Sequence, residues 1–91
     1  MQQDGQELNR LGQQDPSTRV QEAMLRMARD MREQGHVHEA LQMYTQLMED
    51  YPGTQASTAA ANAMVELAQY LEQNGQPHTA LFIYRQLEEL Q

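Results

Sequence analysis

Arg26, Arg29 and Arg32 recur three apart, and of all the residues in this chain their type and spacing most readily suggest a ligand. At that spacing three guanidinium groups share one side of a helix and could hold the carboxylates of an acidic segment. The charges could instead be met locally. Glu22–Arg26, Arg26–Asp30 and Arg29–Glu33 are each four apart, and an exposed pair of that kind contributes only about 0.2–0.5 kcal/mol.

His36, His38 and His78 are the metal-ligand candidates beyond carboxylates. A tetrahedral site needs every ligand atom about 2 Å from the ion. His38 and His78 fall at matching places on two different helices, about 10 Å apart if those helices are neighbours. They read as solvated helix-start histidines, and no metal is expected. Neither serine, Ser17 nor Ser57, has a general base near it in sequence, and each stands at a helix start, where capping places serine. There is no phosphate-binding or dinucleotide glycine motif, so no catalytic or cofactor-binding residue is expected.

The elements that must position these side chains are helices. Asp15-Pro16 is a start signal, because Asp can accept orphan N–H bonds and Pro at the first helical position loses none. From there Val20, Met24, Met27, Ala28 and Met31 recur at helical spacing as far as Gln34-Gly35, where Gly can take the left-handed stop conformation. A second helix is predicted from about His38 to Asp50, ended by Tyr51-Pro52-Gly53. Thr54 or Ser57 caps a third, with Ala56, Ala60, Ala63, Met64, Leu67, Ala68 and Leu71 as its stripe. Asn74-Gly75-Gln76-Pro77 closes it and presets a fourth carrying Ala80, Leu81, Ile83, Tyr84, Leu87 and Leu90. Residues 1–14, rich in Gln and with only Leu8 and Leu11 as aliphatic anchors after Met1, read as a mobile arm. The expected fold is all-α: two antiparallel helical hairpins, the first over 15–53 and the second over 54–91.

Most of the seven methionines fall on or beside the predicted core stripes, where Met fills irregular gaps; Met48 is the one most expected at the surface. The net charge of −7 argues against nucleic acid or an anionic membrane as the main partner. With no cysteine, disulfides, thiolate metal sites and Cys lipidation are excluded. No apolar run reaches the roughly 20 residues of a membrane span, and the first residues lack the pattern of a secretory signal. A cytoplasmic address follows as the expectation.

Shifted by forty residues, the chain matches itself without a gap: Ser17–Tyr51 and Ser57–Gln91 agree at 13 of 35 positions. Such a period marks stacked supersecondary units, none of which buries its apolar face alone. The pattern resembles the tetratricopeptide repeat. Ala28 and Ala68 stand at the small position of the first helix, and Ala40 and Ala80 at that of the second. Tyr44 and Tyr84 take the aromatic place, and Pro52 the terminal Pro place. The early aromatic of the family is Met24 and Met64 here, and the period exceeds the family's usual length, as in an extended variant common in bacterial proteins. The resemblance covers about residues 15–91 and implies a short right-handed solenoid. It also implies a non-catalytic scaffold for protein–protein interaction, with the first helix of each unit lining a concave, partner-facing groove. Arg26, Arg29 and Arg32 would line that groove opposite Glu66, Gln69 and Glu72. The Lys and Asn of a peptide-carboxylate clamp are absent, their places being held by Leu25, Arg26 and Arg29.

The last helix is more apolar than its twin, with Phe82 and Ile83 where the first unit has Gln42 and Met43. A terminal unit should be more polar on its outer side. Phe82, Ile83, Leu87 and Leu90 are therefore expected to form a self-association face, making the protein a homo-oligomer. The alternatives are a piece cut from a larger repeat scaffold, or a small-ligand or metal-binding protein.

Overall fold

A computed structural model describes residues 16–90, and they form four α-helices: α1 (Pro16–Glu33), α2 (Val37–Asp50), α3 (Gln55–Gln73) and α4 (Pro77–Leu90). There is no strand among the described residues. The arm expected over residues 1–14 lies outside them. No helix of the described residues is long and apolar enough to cross a membrane.

Local chemistry sets each boundary. At the end of α1 the chain turns through Gly35 (φ +85°), where the His36 N–H donates to the Met31 carbonyl at 2.8 Å and the Gly35 N–H to that of Arg32 at 3.0 Å. The end of α3 repeats this bond for bond. Gly75 (φ +76°) donates to the Glu72 carbonyl at 3.2 Å and Gln76 to that of Leu71 at 2.8 Å. This is the six-to-one and five-to-two pairing that satisfies the last orphan carbonyls of a helix. The Asn74 side chain adds a third bond there, donating from Nδ2 to the Tyr70 carbonyl at 2.7 Å.

Between the hairpins, Thr54 is the N-cap of α3, in extended backbone conformation. Its Oγ1 accepts from the Ser57 N–H at 3.1 Å and donates to the Tyr51 carbonyl at 2.7 Å. One hydroxyl thus ties the end of α2 to the start of α3. Of the two caps the sequence allows, the threonine serves and Ser57 supplies only the N–H.

Each helix packs on its neighbours in the chain, α1 on α2, α2 on α3 and α3 on α4, with lighter contact between α1 and α3 and between α2 and α4. The core is a single cluster. Ala28, Ala40, Ala68 and Ala80 are all shut off from solvent, and around them lie Leu41, Tyr44, Leu47, Ala60, Met64, Leu67, Leu71, Ile83 and Leu87. Small side chains at these places let paired helices close on one another while the larger ones fill the space on either side. Met48, expected at the surface, is buried. It lies one helical turn beyond Tyr44, on the side of α2 that meets the start of α3, and among the described residues Met27 is the exposed methionine instead.

Candidate functional site

Ala28 marks the buried side of α1. Successive residues of a helix advance by about 100°, so Leu25, Arg29 and Arg32 lie to one side of Ala28, and Met24, Met27 and Met31 to the other. The arginine side is the one turned toward α3. Arg29, Arg32 and Glu33 of α1, with Gly35 and Val37 beyond it, meet Leu67 and Tyr70 of α3 around a groove of about 410 Å³. Its α1 edge carries two guanidinium groups and the Glu33 carboxylate, and on α3 it offers an aliphatic floor and an exposed aromatic ring.

The sequence-derived set is therefore only partly brought together. Arg29 and Arg32 line the groove, whereas Arg26 stands farther round α1, exposed and outside it. Glu66 and Gln69 are exposed on α3 and are not part of its lining either. Tyr70, which no motif or spacing singles out, is part of it. The one available signal was its position: forty residues back stands Asp30, so the two hairpins differ there.

The three local pairs open to the arginines do not close. Among the described residues the one approach of a basic to an acidic side chain within 4 Å is His36 Nδ1 to Glu39 Oε2 at 3.9 Å, both exposed. Surface pairs of this kind return too little to hold two long side chains in one geometry. Arg26 and Arg29 are exposed and Arg32 is half-buried, and among the described residues none of the three is in an ion pair.

Beneath the groove Tyr44 is 1% exposed, and its Oη is, among the described residues, the buried side-chain polar atom without a hydrogen-bond partner. Burial raises its phenol pKa above the ordinary value; Arg32 and Arg29 pull it back and Glu66 pushes it further up. These influences set Arg29, Arg32 and Glu66 around one buried ring. The matching Tyr84 is only half-buried, and its phenol is also raised, by partial burial first and then by the charge of Glu72 and a side-chain hydrogen bond with it.

The outer face expected from Phe82, Ile83, Leu87 and Leu90 needs correcting. Ile83 is 0% and Leu87 7% exposed, both in the core, and Leu90 is half-buried against it. Ala80, Ile83 and Leu87 follow the three-and-four spacing that turns one stripe of α4 inward. Phe82, one residue off that stripe, is exposed beside Leu81. It borders a second groove of about 570 Å³ between α2 and α4, floored by Leu41 and closed at one end by Glu49 and Asp50.

His38 and His78 are exposed, and among the described residues no three of the His, Asp and Glu side chains lie close enough to share a metal ion.

Residues 22–54, from the first turns of α1 through the cap of α3, match the family model of the tetratricopeptide repeat. No curated protein and no solved structure matches the chain.

Proposed function

We propose that the chain, whose residues 22–54 match the tetratricopeptide repeat, belongs to that family and is a non-catalytic adaptor that binds an acidic segment of a partner protein between α1 and α3. Members of the family generally mediate protein–protein interaction and are typically not catalysts. The observation that carries the finer reading is the pairing of Arg29 and Arg32 with Leu67 and Tyr70 around one groove, with neither arginine in an ion pair. Unpaired guanidinium groups beside an aromatic ring and an aliphatic floor suit a carboxylate followed by an apolar side chain. Arg26 would extend the positive edge along the same helix. The protein as a whole is acidic, so attraction would be local, acting within about 8–10 Å at ordinary ionic strength.

A second element of the proposal is self-association through the exposed side of the last helix. Leu81 and Phe82, adjacent and each about half exposed, favour it.

The groove is tested by fluorescence anisotropy with a labelled peptide alternating Asp or Glu with Leu or Phe. Binding is expected to weaken as salt rises, and the double variant Arg29→Glu/Arg32→Glu should weaken it at least tenfold with helicity unchanged. Equal affinity of the variant and the parent would overturn the groove reading.

A further inference from the structure

We propose that copies of this chain stack head to tail, with the outer side of α1 in one copy seated on the outer side of α4 in the next. The inference rests on the self-association reading above and names the two surfaces that meet.

Superposing the two hairpins by their forty-residue offset pairs each residue with a twin in the same local setting. In the second hairpin, Ala60, Met64, Leu67 and Leu71 are 0–3% exposed. Their twins in the first hairpin are Val20, Met24, Met27 and Met31. Val20 is 47% and Met27 48% exposed, and Met24 and Met31 are only half-buried. The reverse holds at the other end. Leu41 is 5% and Tyr44 1% exposed, whereas Leu81 is 47% exposed and Tyr84 half-buried. What the twins do not share is a neighbouring hairpin. The first hairpin covers the α1-like side of the second, and the second covers the α4-like side of the first.

The molecule therefore carries at its α1 end one half of its own internal interface, and at its α4 end the other half. A second copy is the partner that by construction presents both. Because the two halves differ, the contact is heterologous, and each copy keeps one end open for the next until the rotation per copy closes a ring. Methionines at the α1 end suit this role, since an unbranched side chain adapts to a surface that does not match its twin atom for atom.

Charge sets a condition on the seam. Inside the molecule Arg32 of α1 and Tyr70 of α3 border the same groove. Their counterparts across the intermolecular seam, forty residues on and forty residues back, are Glu72 and Asp30. Two carboxylates would then approach, so stacking should tighten with added salt, which screens them. Binding of an acidic peptide in the arginine groove should do the opposite.

The experiment blocks each end separately in the full chain. Met27→Asp leaves only the α4 end competent, and Leu81→Asp leaves only the α1 end. Mass is measured by light scattering over a hundredfold concentration range, with far-UV circular dichroism confirming the fold. If either aspartate variant loses helicity, Met27→Gln and Leu81→Gln replace them. The expected result is that the parent grows in mass with concentration and salt, that each variant alone stays monomeric, and that an equimolar mixture gives a one-to-one dimer. Self-association of Met27→Asp equal to that of the parent overturns head-to-tail stacking but keeps a symmetric contact through the last helix. A parent that stays monomeric throughout overturns both, and leaves the arginine groove to be judged by peptide binding alone.

Discussion

Tyr44 and Tyr84 hold matching places in the two hairpins but meet different neighbours. Glu72 accepts from the Tyr84 phenol, while the residue forty positions earlier is Arg32, which has no acceptor to offer. A buried hydroxyl without a partner costs about 1–3 kcal/mol of desolvation. Tyr44→Phe is therefore expected to leave stability unchanged or raise it by about 1 kcal/mol in urea unfolding; a comparable loss would show that the hydroxyl does find a partner. The same burial governs alkaline behaviour. The folded phenol ionises above 10.0, the unfolded one near it, so its share of stability is complete below pH 10 and lost as pH climbs above it. Tyr44→Phe should accordingly unfold at higher pH than the parent on base titration. The aromatic place itself could be read from sequence. The missing partner could not, because it depends on which side chain of a different helix lies overhead.

The helices were legible almost to the residue, and for physical reasons that act over a few positions. Caps, left-handed glycines and proline stops are local, so Gly35, Gly75 and Pro77 marked their ends without knowledge of the rest of the molecule. Space does not constrain Gly35: a methyl group added there would meet nothing within 4 Å. Gly35→Ala should therefore lose only the cost of a side chain in left-handed backbone, about 1–2 kcal/mol. Thermal unfolding measures it, and a loss of several kcal/mol would mean that packing also depends on this turn. Thr54→Ala removes a cap and the tie to Tyr51 together, with an expected loss of about 0.5–2 kcal/mol. Less legible were the i,i+4 pairs of α1. The spacing was present, but the side chains do not close it, because a surface pair is worth so little.

At the scale of the whole molecule, the difficulty for sequence reading was to tell which side of each apolar helix would be covered. Phe82 and Ile83 are adjacent and similarly apolar, yet one is exposed and the other is wholly buried. Ile83 shares the inward stripe of Ala80 and Leu87, and Phe82 lies one residue off it, so helix phase and not apolar character decides which of the two is covered. The two residues separate cleanly by substitution. Phe82→Gln should keep the fold, whereas Ile83→Gln places an amide in the core and should lower stability by several kcal/mol, on the order of the 2–5 kcal/mol of large core truncations. Equal stability of the two variants in urea would contradict the assigned burial.

Packing of each helix mainly on its sequence neighbours also shapes how the chain reaches its native state. Few contacts join residues far apart along the chain, so little loop entropy has to be lost before stabilising contacts form, and helical proteins of this kind fold in roughly microseconds to milliseconds. Order can begin in either hairpin and spread across the Thr54 junction to the other, since a linear array has no obligatory nucleus. The junction that order must cross is short, a proline, a glycine and a threonine within three residues.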